Sequence, residues 1–141
     1  MIAQLLVGAA ASLTNIGIHA VWTVILDRAV RRFWAKQRDR YFLWNRVLLM
    51  MGAVAVLMTA HVIEVVVWAV TYAIVGAAPA GANRAYLAFV NYTTLGYGDV
   101  VPVKEWQLLG PMTAMNGILL FGWSTAAIIE AVRTTVRDMP D

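Results

Sequence analysis

The stretch Thr93-Thr94-Leu95-Gly96-Tyr97-Gly98-Asp99 is where this chain is best equipped for chemistry. Its reagent is the backbone. Consecutive carbonyl oxygens can replace the hydration shell of a cation if they face the ion's path in successive rings. Turning successive carbonyls the same way demands backbone angles that side chains resist, and glycine at alternate positions permits them. A threonine adds a hydroxyl at the inner end. A short helix aimed at the path brings its negative C-terminal dipole towards the cation. One chain supplies one wall, so a closed path requires several copies around an axis.

Two ionisable residues stand within a long apolar run, His61 and Glu64. Charges there are costly in lipid and normally face a partner or a cavity. Being three residues apart, they share a helix face, which Trp68 and Tyr72 continue. One reading makes them candidate pH sensors and makes Glu64 a brace behind the carbonyl stretch, reaching Asn91, Tyr92 or Asp99. The other makes them a satisfied hydrogen-bond pair that fixes packing. Ser12, Asn15, His19 and Trp22 form a second polar stripe, which reads as glue between helices. His19 alone is no metal site. Glu130, near the end of the last apolar run, suits either a carboxylate ring at an inner mouth or a local pair with Arg133 or Thr134.

The elements that position these residues follow from composition. Of 141 residues 61% are hydrophobic and 13% charged, against about 25% charged in soluble domains. Lipid is therefore the main solvent. With no cysteine, disulfide frameworks and thiolate chemistry are excluded. Ile2 to Leu26 is uncharged, Val47 to Ala78 is interrupted only by His61 and Glu64, and Leu108 to Ile129 is uncharged. Each meets the length of about 20 residues that a spanning helix needs. Ala82 to Thr93 makes about 18 Å of helix, too short to cross. Introduced by Ala-Pro-Ala-Gly and followed by two glycines, it reads as a re-entrant segment. Apolar sequence continues well past Ala9-Ala10-Ala11, with no basic residue before it, so the first run reads as a span and not a cleaved signal.

Seven of the eleven basic residues lie between Asp27 and Arg46. That clustering marks a cytoplasmic loop, not a nucleic-acid surface. It puts the N-terminus outside, the re-entrant segment outside and the C-terminus in the cytoplasm. Arg28, Arg31 and Arg32 begin after the first span ends and the series stops at Trp34, so they do not make a voltage sensor. Phe33, Trp34, Tyr41 and Trp44 suit an interfacial helix instead.

The run from Thr93 to Asp99 resembles the selectivity filter of potassium channels, Thr-Val-Gly-Tyr-Gly-Asp, with Leu95 in place of Val. Gly117 to Ala127 is similar to the inner helix of the two-helix channels of bacterial type. The resemblance covers about Phe42 to Arg133; the first span lies outside it. It implies an all-α membrane protein with three transmembrane helices, a re-entrant pore helix and a filter, assembled as a four-fold homotetramer in the plasma membrane. The implied units are a first span (1–27), a basic linker (28–46), a pore domain (47–132) and a short tail (133–141). Within the pore domain come an outer helix (47–78), pore helix (82–93), filter (94–99) and inner helix (106–132). Thr94, Leu95, Gly96 and Tyr97 would coordinate potassium, with Gly98 completing the mouth. Asp99, Glu64, Asn91 and Tyr92 would support the filter. Gly117 would be the gating hinge, and Ile118, Phe121, Gly122 and Thr125 would line the cavity and gate. The implied function is passive potassium conduction, with potassium as the permeant ion, no cofactor and no enzymatic activity. A weakly selective cation channel and a non-conducting regulatory subunit are the alternatives; membrane lipid and an unseen regulatory partner are the remaining expected contacts. The pore-helix Trp-Trp pair of many relatives is Tyr86-Leu87 here, the pore-helix glutamate that some relatives carry is Val90, and Asn91 replaces a common threonine.

Overall fold

The computed structural model describes residues 1–36 and 42–137. The described residues form helices and connecting loops, with no strand among them. Helix α1 runs Ile2–Lys36, α2 Phe42–Val75, α3 Arg84–Tyr92 and α4 Leu109–Arg137, with a 3-10 turn at Lys104–Trp106. Three of these, α1, α2 and α4, are long and apolar enough to cross a membrane. Helix α3 has 9 residues, about 14 Å. The chain is a multi-pass membrane protein.

The ends of the elements have local causes. Gly76, at φ 67°, stops α2 in the left-handed conformation, a common helix terminator that side chains resist. The outer helix therefore ends at Val75, three residues short of the apolar run. Asn83 caps α3, its Oδ1 accepting from Ala85 N at 3.0 Å and Tyr86 N at 3.1 Å, so α3 begins at Arg84, whereas the sequence predicts a pore helix from 82. The inner helix begins at Leu109, because Lys104–Trp106 forms a separate turn.

The linker expected over 28–46 is largely helical. No glycine or proline interrupts Leu26 to Lys36, so α1 continues through its arginines, and α2 has begun by Phe42. Phe33 packs against buried Leu26, Val30 and Ala131, so here a separate interfacial helix gives way to the end of α1. Arg38, Arg40, Tyr41 and residues 138–141 of the tail lie outside the described residues, as do the side chains of Trp34 and Lys36.

The core has two apolar clusters. One surrounds α3 with Ala11, Trp68, Tyr72, Leu87, Ala88, Tyr92 and Leu109. The other joins the far ends of α1, α2 and α4 through Leu26, Leu49, Ala53, Leu57 and Ala131. The buried polar residues Asn15, His19, His61, Glu64, Asn116 and Ser124 come from these same three helices. In lipid, such groups hold helices together only when they are paired.

Candidate functional site: a glycine-rich loop and the polar network beside it

The last turn of α3 feeds directly into the glycine-rich stretch. Thr93 N donates to Phe89 O at 2.9 Å, Thr94 N to Asn91 O at 3.0 Å and Leu95 N to Val90 O at 2.9 Å. The stretch thereby turns its N–H groups back on the helix end and satisfies its terminal carbonyls. Backbone φ is positive at Thr94 (60°), Gly96 (56°) and Gly98 (78°), every second residue. The glycines take this conformation freely, whereas for Thr94 it is a strained one of a kind that clusters at functional sites. Thr93 through Asp99 are all exposed, Leu95 at 52% and Tyr97 at 70%. A loop with this much bare backbone at membrane depth must be covered by protein or face a water-filled path.

One contact holds the stretch from its side, and a second steadies the helix that leads into it. The Tyr86 hydroxyl donates to Asp99 Oδ2 at 2.7 Å. That bond to the carboxylate pushes the Tyr86 phenol above its ordinary range. Asn91 does not reach Glu64; its Nδ2 donates to the Tyr72 hydroxyl at 3.1 Å, which lies 2.6 Å from Thr113 Oγ1. This ties the C-terminal turns of α2 and α3 to the N-terminal turns of α4. Sequence reasoning missed it, because Tyr72 and Thr113 lie 41 residues apart with no shared motif.

Glu64 is fully buried. Its carboxylate faces His19 Nδ1 at 2.8 Å and His61 Nδ1 at 2.9 Å, and accepts from the Tyr92 hydroxyl. Of its three expected partners, Tyr92 is the one it meets; Asp99 is engaged by Tyr86. His19 is not alone, as the sequence suggested. Its stripe on α1 faces the pore-domain helices, and its donor atom lies within 4.8 Å of those of His61 and Glu64. Groups at that spacing share charge. Asn15, one turn before His19, donates to Glu64 O at 3.2 Å and to Asn116 Oδ1 at 2.9 Å, which also accepts from Trp68 Nε1. The only sequence signal for this was the spacing of the α1 stripe, which gave the face but not the partners.

On α4, Gly117 is buried against the end of α3. A Cβ there would collide with Tyr92 O and lie 2.9 Å from its carbonyl carbon. Ile118, Phe121, Gly122 and Thr125 are exposed on the same helix. The Phe121 ring contacts those of His61 (centroids 4.6 Å apart) and Tyr92 (5.4 Å), so it bridges the polar network and the open face. The Thr125 hydroxyl donates to Phe121 O at 3.0 Å. Glu130 lines a cleft of about 250 Å³ between α1 and α4 with Thr23, Asp27 and Val30. This sets it beside the first helix.

Neither the comparison with curated proteins nor that with solved structures gives a match. The family model described as "Ion channel" matches residues 48–134, more than half of the chain. The matched stretch holds most of α2, the short α3, the glycine-rich loop and nearly all of α4, the parts that a two-helix pore domain of the kind found in potassium channels requires. This chain belongs to that ion-channel family.

Proposed function

We propose that the chain is one subunit of a potassium-selective channel, with four copies around a central pore and conduction passive, down the electrochemical gradient. The observation that carries this reading is the alternation of positive φ at Thr94, Gly96 and Gly98 in an exposed loop that follows a half-length helix. Such alternation turns successive carbonyls towards one side, where they can stand in for an ion's hydration shell. In this reading Thr94, Leu95, Gly96 and Tyr97 coordinate potassium, and Gly98 opens the outer mouth. Asp99 braces the filter through Tyr86, and Glu64 supports it from behind through Tyr92. Asn91 steadies it through Tyr72.

Ile118, Phe121 and Thr125 face the cavity. Gly122, with open space around it, and Gly117, held under Tyr92, are the positions where the inner helix can bend. The basic residues after the first span put the N-terminus outside and the C-terminus in the cytoplasm of the plasma membrane. The reading is tested by purified protein in liposomes. Potassium flux well above sodium flux supports it. Comparable flux of both ions makes it a weakly selective cation channel, and no flux of either makes the chain a regulatory subunit.

A further inference from the structure

Glu64, His19, Ser124 and His61 form a closed ring of hydrogen bonds. Glu64 Oε1 is 2.8 Å from His19 Nδ1. His19 Nε2 is 3.3 Å from Ser124 Oγ, and Ser124 Oγ is 2.9 Å from His61 Nε2. His61 Nδ1 closes the ring on Glu64 Oε2 at 2.9 Å. All four residues are buried, His61 the least at 8% exposed. The ring draws on α1, α2 and α4. From α3, the Tyr92 hydroxyl reaches the same carboxylate and lies 2.9 Å from His61 Nδ1.

A proton count over this ring has one outcome. Each of the four links needs one proton, donated from one side. A carboxylate, two neutral imidazoles and a hydroxyl bring three between them, with a net charge of −1. Two lone pairs would then face each other across one link, beside a bare charge at membrane depth, which is expensive. One more proton closes every link and brings the net charge to zero. It can sit on a histidine, giving an imidazolium–carboxylate pair. It can equally sit on Glu64, with the other links reoriented around two neutral imidazoles. The count is the same in both arrangements.

We infer that this ring is a proton-binding site, holding one proton beyond the carboxylate and two neutral imidazoles and so locking the first helix to the pore domain. The groups that face it are His19 from α1, His61 and Glu64 from α2, Tyr92 from α3 and the Ser124 hydroxyl from α4. Losing the proton opens a link. The longest is His19 Nε2 to Ser124, which joins α1 to α4. The stranded carboxylate would lie against Tyr92, immediately before Thr93. The ring's proton is held at low pH and released as pH rises, so conduction falls on an alkaline limb. That consequence for flux rests on the channel reading; the proton count does not.

The test uses the full chain in lipid vesicles, with histidine labelled by ¹⁵N, between about pH 5 and 9, which spans the ordinary range of histidine and extends above it. Nitrogen signals and potassium flux are followed together. In the wild type, His19 and His61 should change together in one transition, with flux falling over the same range. Glu64→Gln can close the ring with neutral histidines, its carbonyl accepting from one Nδ1–H and its amide donating to the other Nδ1. It should fold and lose the transition. Ser124→Ala removes both outer links and should move the transition down by about one pH unit, a tenfold weaker hold on the proton. The inference is overturned if Glu64→Gln keeps the wild-type transition, or if neither wild-type histidine changes protonation or tautomer anywhere in the range. A chain that shows the transition without passing potassium overturns the channel reading and keeps the ring. One that conducts without the transition does the reverse.

Discussion

At the scale of single residues, Gly117 and Tyr86 give the sharpest expectations. The inner helix passes so close to Tyr92 O that a Cβ at 117 has no room. Gly117→Ala should therefore cost about 1–3 kcal/mol by overpacking and show a lowered thermal unfolding midpoint in detergent. Gly122→Ala, with open space around the glycine, should cost much less, and equal losses at the two sites would contradict the packing account. Tyr86 donates to Asp99. Its phenol is held above the ordinary tyrosine range chiefly by that hydrogen bond. The bond is therefore present at and below the usual titration range of tyrosine and is lost only as pH rises beyond it. Ultraviolet titration of Tyr86→Phe should lose one tyrosine from the late-titrating part of the curve, and that variant should inactivate faster during sustained potassium current. A loss confined to the ordinary tyrosine range in Tyr86→Phe would contradict the bond.

At the scale of elements, the C-terminal turns of α2 and α3 and the N-terminal turns of α4 are pinned by one hydroxyl. Tyr72→Phe leaves Thr113 and Asn91 facing an apolar edge, and should cost about 1–3 kcal/mol for the stranded polar groups. Thermal unfolding of the variant in detergent checks this, and a midpoint equal to wild type would show that the cluster adds nothing. The spans themselves were legible in the sequence because lipid demands long uncharged runs, and Ala82 to Thr93 was legible as re-entrant because it was too short. What was not legible came from distance in the chain. The meeting of His19 with Glu64, 45 residues on, depends on how α1 rotates against α2, and a polar stripe fixes only the face. The continuation of α1 through Arg28, Arg31 and Arg32 was obscured by charge. Charge marks the edge of lipid, whereas a helix ends where the backbone is interrupted, and nothing interrupts it before Lys36.

At the scale of the whole molecule, one chain leaves Thr93 to Asp99 exposed beside the open face of α4 that carries Ile118 and Phe121. Such a surface at membrane depth calls for further copies. Crosslinking in native membranes should accumulate a four-chain species, and a ladder stopping at two would contradict a four-fold pore. The central claim is that the carbonyls of Thr94, Leu95, Gly96 and Tyr97 select potassium. It is tested most directly by single-channel recording of the purified protein in a planar bilayer, with potassium on one side and sodium on the other. The account predicts unitary currents whose reversal potential lies far towards the potassium equilibrium potential, and that Gly96→Ala, which puts a side chain on a left-handed residue, abolishes them. A reversal potential near zero under the same gradient would contradict it.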